Sequence, residues 1–379
     1  MSTAVRALAR PLVNLASNNY LGLRDHPRVR EAAIRAIQEL GVGSAAGRNA
    51  ADRTRLHEQL ERRLAEFKRV EAVVTFQSGY VANIGTIPAL VARDDLVVYD
   101  ELSHASTVDG ARLSFAACLT YPHRDVGALE RVLRGARRGM RGRPRYNEIL
   151  VITDGVFGMD GEIAPLPEIC AVAERHGASV MVDDAHGSGV LGRGGRGTVD
   201  HFGLHDRVRI QMGTLSKALG AAGGFVGCDG LTREHLLRRA RPIAYSTLLP
   251  PAIAAASLAA LEVLENEPER LERLWTNARH FRSGLQRLGF DTGASETPIV
   301  PILTRDPTVA LQLVDRLADE GIAVQAIVPP TVAARRARVR TIVSSEHTHA
   351  DLDHCLEVLA RVARDVRIVA SSKGKGRGP

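Results

Sequence analysis

Five short apolar runs recur along the chain, and each ends in a polar cluster. Ala72–Phe76 runs into Gln77-Ser78-Gly79-Tyr80, residues 96–99 into Asp100-Glu101-Leu102-Ser103-His104, and residues 149–153 into Asp154-Gly155. Residues 179–182 run into Asp183-Asp184-Ala185-His186, and residues 208–212 into Gly213-Thr214-Leu215-Ser216-Lys217. Helical patterns separate them, such as residues 56–67, with Leu56, Leu60 and Leu64 four apart, and residues 166–176. Near-continuous Val/Ile/Leu strands alternating with helices describe an α/β chain with a mostly parallel sheet covered on both faces. Ligands of such sheets sit beyond the carboxyl ends of the strands, so the clusters at Ser78–Tyr80, His104, Asp183–His186 and Thr214–Lys217 are expected to converge at one edge.

At 379 residues the chain exceeds the ~250–300 at which one hydrophobic core stops growing, so a second, smaller domain is expected. The expected division is an N-terminal segment over residues 1–45, a large domain over 46–255 and a C-terminal small α/β domain over 256–379. The last part has a tail, disordered from about 371, that is rich in Ser, Gly and Lys. Helices are expected from His26 or Pro27 to Leu40 and, as a link between the domains, over residues 252–282; residues 299–303 and 339–343 read as strands of the small domain. The net charge of +7 is spread among acids along helices. The seven arginines of Arg131–Arg145 are not interleaved with aromatics and read as a solvated loop, so no nucleic-acid partner is expected. Cys118, Cys170, Cys228 and Cys355 lie far apart with no C-x-x-C pair, which suits a reducing cytoplasm and neither a disulfide framework nor a metal site. No run approaches ~18 apolar residues, so no membrane association is expected.

Only four lysines occur against 50 Lys+Arg: Lys68, Lys217, Lys373 and Lys375. Two are in the tail, and Lys68 ends an amphipathic helix. Lys217 instead stands inside Gly213-Thr214-Leu215-Ser216-Lys217-Ala218-Leu219-Gly220-Ala221-Ala222-Gly223-Gly224, an apolar, glycine-rich run. An amine forms a Schiff base and sheds its proton when desolvated; a guanidinium does neither. A lysine snorkelling from a buried turn is the plain alternative.

The other clusters decide between these readings. Ser78, Gly79 and Tyr80 make a strand-to-helix turn whose open N–H groups suit a phosphate. Asp183 at a strand end suits a protonated ring nitrogen, although Asp183-Asp184 would also serve as a helix cap. His186 is within reach of the same ligand, and His104 offers a ring for stacking. A phosphate, an aldehyde-reactive amine and a ring-nitrogen partner together describe pyridoxal 5′-phosphate.

The chain resembles the α-oxoamine synthases, within the fold-type I pyridoxal-phosphate transferases, from about Asn14 to Leu359. The motifs that carry the resemblance are SNNYLGL (Ser17–Leu23), DELSHAS (Asp100–Ser106), TDGVFGMDGEIAPL (Thr153–Leu166), VDDAHGSG (Val182–Gly189), GTLSKALGAAGG (Gly213–Gly224), YSTLLPP (Tyr245–Pro251) and residues 326–340. The resemblance implies a Schiff base at Lys217, which also acts as acid and base. It implies Asp183 on the pyridine nitrogen, His186 on the ring oxygen, His104 stacked on the ring, and Ser78, Gly79, Tyr80 and Thr214 around the phosphate. It further implies a homodimer with shared active sites, in which Ser246 or Thr247 of one subunit reaches the phosphate held by the other. Arg340, with Arg338 as its competitor, would grip the amino-acid carboxylate, and Asn18 or Asn19 would lie near the substrate entrance.

The reaction implied is condensation of an amino acid with an acyl thioester, on CoA or a carrier protein, usually with loss of CO₂, to give an α-amino ketone. The first choice of substrates is alanine with a pimeloyl thioester. Glycine with an acetyl group, another amino acid and acyl chain, or simple amino transfer are the rivals. The sequence departs from the family pattern at Gly158, where a serine is usual, at Asp52, where a glycine is usual, in the Ala-Ala-Arg-Arg after PPTV, and in the 13 residues that precede Asn14.

Overall fold

The computed structural model describes residues 13–45, 47, 55–138 and 146–365. The expectations for Asp52, for the arginines at 141, 143 and 145, and for the tail from about 371 lie outside the described residues.

The larger of two compact units comprises Leu21–Phe157 and Ile163–Leu271. Its seven-stranded sheet is built from β1 (Ala72–Phe76), β2 (Leu96–Asp100), β3 (Ala117–Tyr121), β4 (Ile149–Asp154), β5 (Ser179–Asp183), β6 (Ile210–Thr214) and β7 (Gly224–Cys228), in the order β1-β7-β6-β5-β4-β2-β3. Only β7 runs against its neighbours β1 and β6; every other pairing is parallel. β1, β2, β4, β5 and β6 therefore end at the same edge. Register places Asp154 beside Asp183, and Gly224 between Phe76 and Thr214. The strands carry their Val, Ile and Leu side chains into two cores, one on each face, as a doubly covered sheet requires. Strands β3 and β7 were not read from the sequence: β3 alternates partly buried and exposed positions, and β7 contains two glycines.

The smaller unit gathers residues 13–20, Gly158–Glu162 and 272–365. Its antiparallel sheet has Arg338–Ile342 at the centre, flanked by Gln325–Ile327 and Ile299–Leu303. Val13–Asn14 pairs in parallel with Ile322–Ala323, and Leu15 enters the core formed with Phe281, Leu313 and Leu352. Gly158–Glu162 joins this unit because Thr297 Oγ1 and the Glu296 N–H both donate to the Gly161 carbonyl at 3.0 Å.

The unit boundaries differ from the division drawn at 45 and 255. Helix Pro251–Asn266 packs its alanines against Pro27–Leu40 and Arg55–Lys68, which holds all three in the larger unit through Leu271. The single linking helix expected over residues 252–282 is two helices, Pro251–Asn266 and Glu269–Arg287. Pro268 is the cause: it lacks an N–H, and its ring drives Glu267 out of helical conformation, to φ −123° and ψ 61°.

Lys68, read as the charged end of an amphipathic helix, is fully buried. Its ammonium donates to Asp184 Oδ2 at 2.7 Å, Ser188 Oγ at 3.1 Å and the Arg196 carbonyl at 2.6 Å, using all three N–H bonds. Asp184, also fully buried, accepts in addition from Thr198 Oγ1 at 2.6 Å. A turn, not a helix, follows Asp184, whose carboxylate instead accepts from the Thr198 N–H at 3.1 Å, at the start of the distant helix Thr198–Phe202. Removing one partner of such a pair strands a charge in the interior, so Lys68→Met is expected to cost ~3–5 kcal/mol of unfolding free energy, read by urea denaturation. A loss below ~1 kcal/mol would mean that solvent reaches Asp184.

Candidate active site

Asp183 is the last residue of β5 and is buried. Its Oδ1 accepts from the Ala185 N–H at 3.1 Å and its Oδ2 from Asn83 Nδ2 at 2.7 Å, so both hydrogen bonds come from neutral donors. Alternation at the strand end turns Asp183 to one face and Asp184 to the other. Asp154 ends the adjacent strand β4 and is likewise buried. Burial, and then the charge of Asp183, push the Asp154 carboxyl well above the usual carboxylate range. Of two neighbouring acids at the sheet edge, Asp154 is thus the one favoured as neutral.

His104 follows β2 and caps helix Ala105–Leu113. Its N–H donates to Asp154 Oδ1 at 3.3 Å, and its Nδ1 lies 2.7 Å from Ser106 Oγ. The residue presents part of its surface to solvent, yet the atoms packed around the imidazole hold its pKa below the ordinary 6.5. The Asp183 charge opposes that shift and the Lys217 charge adds to it. Lys217 also acts on Asp154. His104, Asp183 and Lys217, which follow or end three different strands, therefore share one electrostatic environment, and Asp154 of β4, which the sequence did not single out, joins them.

Ser78 caps helix Gly79–Leu90, its Oγ accepting from the Val81 N–H at 3.1 Å. The first N–H groups of a helix have no intrahelical acceptor, so Gly79 and Tyr80 present an anion-binding end. Gly79 rests on Thr214: a Cβ there would lie 3.3 Å from the Thr214 Cβ. The Tyr80 hydroxyl is turned to Asp109, so it is the backbone of Tyr80 that faces the helix end. Thr214 spends its hydroxyl proton on the Gly223 carbonyl at 2.8 Å and accepts from the Ser216 N–H at 3.3 Å. Ser216, which the sequence reading did not single out, is exposed beside it, its Oγ 2.9 Å from Thr214 Oγ1. His186 and Lys217 are partly buried in the turns after β5 and β6. Ser246 and Thr247 are both exposed, and Gln77 Nε2 donates to the Thr247 carbonyl.

The glycines of the Lys217 run are required by backbone packing. Gly220 has φ +66°, and a Cβ on it would fall 2.2 Å from the Arg24 nitrogen; a Cβ on Gly224 would fall 2.5 Å from the Ser78 carbonyl oxygen.

Arg340, Asn18 and Asn19 belong to the smaller unit. Arg338 and Arg340 are two apart on one strand and both buried. Arg338 is engaged by an ion pair with Asp160 and by the Arg336 carbonyl at 2.9 Å. Among the described residues Arg340 meets only neutral groups: Asn18 Oδ1 at 2.9 Å, Gln325 Oε1 at 3.4 Å and the Tyr20 hydroxyl. Its Nε is buried and has no hydrogen-bond partner among the described residues. Burial drives the Tyr20 phenol far above its usual pKa, so it stays neutral beside the guanidinium. Asn19 is held by its backbone, the carbonyl accepting from Ser344 Oγ at 2.9 Å. Tyr20 went unread because a tyrosine in a turn-rich stretch gives no local sign of a buried arginine.

Residues 10–359 match the family described as aminotransferase class I and II. The chain belongs to that family. It is 52% identical over 360 residues to the 8-amino-7-oxononanoate synthase of Symbiobacterium thermophilum, covering 95% of this chain and 90% of that protein. It is 47% identical to 8-amino-7-oxononanoate synthase 1 of Bacillus subtilis, over 94% of this chain and 90% of the relative. Among solved structures, the serine palmitoyltransferase of S. paucimobilis with a bound PLP–myriocin aldimine matches with a TM-score of 0.89 at 32% identity, over 94% of this chain and 89% of that one. The 8-amino-7-oxononanoate synthase of Francisella tularensis matches with a TM-score of 0.79 at 26% identity, over 94% of this chain and 99% of that one. The fold is thus that of the fold-type I transferases, and the resemblance to α-oxoamine synthases holds.

His104 supplies a pH test of this geometry. Because its folded pKa is depressed, the unfolded chain binds the proton more readily; the stability that results is full above the ordinary 6.5 and is lost as pH falls through the folded value. In histidine-labelled NMR titrations, Lys217→Met is expected to raise the His104 midpoint and Asp183→Asn to lower it further. Unchanged midpoints in both variants would mean that the three side chains do not share a site.

Proposed function

We propose that this chain is a pyridoxal-phosphate-dependent 8-amino-7-oxononanoate synthase, joining alanine to a pimeloyl thioester with release of CO₂ and the free thiol. The observation that carries the choice of substrates is the 52% identity over 95% of the chain to a protein of that name. Similarity to serine palmitoyltransferase is lower, at 32%, and does not favour a second reading.

The residues present suit the cofactor. Asp183 is a buried carboxylate whose hydrogen-bond donors among the described residues are neutral, as a partner for a pyridinium should be. The end of helix Gly79–Leu90, where Gly79 packs closely on Thr214, suits a phosphate. Bound here, pyridoxal phosphate would supply an aldehyde to capture the amino-acid nitrogen and a ring to accept electrons from its Cα. Lys217 would hold the cofactor and then carry the Cα proton. His104, favoured as a neutral ring, would stack without competing for the charge of Asp183, and His186 would hydrogen-bond the ring oxygen. Ser78, Gly79, Tyr80 and Thr214, with Ser216 beside them, would surround the phosphate. Arg340 offers a fork bound only by neutral groups, which suits a carboxylate, and Asn18 orients it. Arg338, neutralised by Asp160, is the weaker candidate. The reading carries with it a homodimer in which Ser246 or Thr247 serves the other subunit, a cytoplasmic setting, and CoA or a carrier protein as thiol.

Two measurements test this. Purified chain given pyridoxal phosphate, alanine and pimeloyl-CoA should release thiol, and borohydride should fix the cofactor to Lys217. A Lys217→Ala protein with normal turnover would remove the central claim. Thiol release with glycine and acetyl-CoA alone would reassign the substrates, and amino transfer to a keto acid without thiol release would make the protein an aminotransferase. Arg340→Lys, which loses the planar fork, should raise KM for alanine about ten- to a hundredfold. An unchanged KM would move the carboxylate contact elsewhere.

A further inference from the structure

Beneath this site lies a buried amide that links two of its residues. Asn83 is fully enclosed, in the second turn of helix Gly79–Leu90. Its Nδ2 lies 2.7 Å from Asp183 Oδ2, 2.9 Å from Ser106 Oγ and 3.5 Å from Thr107 Oγ1. Ser106, also buried, has its Oγ 2.7 Å from His104 Nδ1, and the Ser106 N–H points at the same nitrogen from 3.3 Å. With the N–H of Ser106 aimed at it, Nδ1 is an acceptor, so the neutral ring carries its proton on Nε2. The Ser106 hydroxyl then donates to His104 and accepts from Asn83. One amide N–H goes to Asp183 and the other to Ser106.

Packing alone does not account for this residue. Asn83 Oδ1 is buried and has no hydrogen-bond partner among the described residues. An unpaired buried carbonyl is unfavourable, and an apolar side chain of similar size would avoid it. Turning the amide over would set its oxygen against the Asp183 carboxylate, so Asp183 fixes the orientation. The donor is also neutral: a lysine or arginine here would neutralise the negative charge that a pyridinium needs, whereas an amide orients the carboxylate and leaves the charge in place.

We propose that Asn83 is a positioning residue, locking Asp183 and, through Ser106, His104 into one hydrogen-bonded unit that receives the pyridine ring. This deepens the function proposed above and rests on it. Among the described residues the charged or titratable groups around the unit are Asp154, Asp183, His104 and Lys217, with Asp100 acting on Asp154.

The test is a titration of the full chain with pyridoxal phosphate, read by absorbance, for wild type, Asn83→Leu and Asn83→Asp, with thermal melts of each protein. Asn83→Leu is expected to weaken cofactor binding about ten- to a hundredfold and to shift the absorbance band, with little change in melting. Asn83→Asp keeps the shape and sets a second carboxyl against Asp183, so one of the pair holds a proton more tightly. Between about pH 6 and 9 this variant should bind well at the acid end, where the shared proton restores a donor, and progressively worse as pH rises. If Asn83→Leu fails to fold, Asn83→Asp still decides. Wild-type uptake matched by Asn83→Asp, with the same affinity and band at every pH, would overturn the inference alone. A wild-type chain that bound no pyridoxal phosphate would overturn the proposed function, and this inference with it.

Discussion

The buried ion pair of Lys68 and Asp184 is the interaction on which the larger unit's working edge depends. Two fully enclosed charges persist because every polar bond is met: three acceptors surround the ammonium, and hydroxyl and amide donors surround the carboxylate. The pair secures the chain from Asp184 to Thr198, beginning one residue after Asp183. The packing is tight enough to demand glycine: a Cβ on Gly187 would lie 2.0 Å from Asp184 Oδ1, and one on Gly197, at φ +107°, would lie 1.8 Å from Asp184 Oδ2. Two consecutive acids thus do opposite jobs. Asp184 is spent on a cation inside the fold, and Asp183, on the other face, meets neutral donors only.

That division carries over to the third acid. Asp154 stands beside Asp183 in register, and two like charges on adjacent buried positions repel. The Asp154 carboxyl gives way, raised by burial and by its neighbour, while the Asn83 amide holds Asp183.

The smaller unit sorts two arginines by the same rule. Arg338 and Arg340 share a face of one strand and are both buried, but among the described residues only Arg338 meets an acid. Arg340 is left among an amide, a second amide and a phenol held neutral by burial. A buried guanidinium without an anion is poised for one.

Much of the fold was legible along the chain. β1 and the strand Ile299–Leu303 were read to the residue, and helix Pro27–Leu40 to within one residue at its start, because each announces itself by its own run of side chains. Lysine scarcity and the order of strand-end clusters were enough to single out Lys217, Asp183, His186 and His104. The split of one expected helix at Pro268 lay within reach of sequence rules. Lys68, Asn83, Ser106 and Tyr20 did not. Lys68 meets Asp184 across 116 positions, and Asn83 meets Asp183 across 100. Periodicity and motif spacing are local and report which residues share a strand or a helix face. Whether a buried polar group finds a partner, and which of two adjacent acids or two alternate arginines keeps its charge for a ligand, depends on surfaces that only the folded chain brings together.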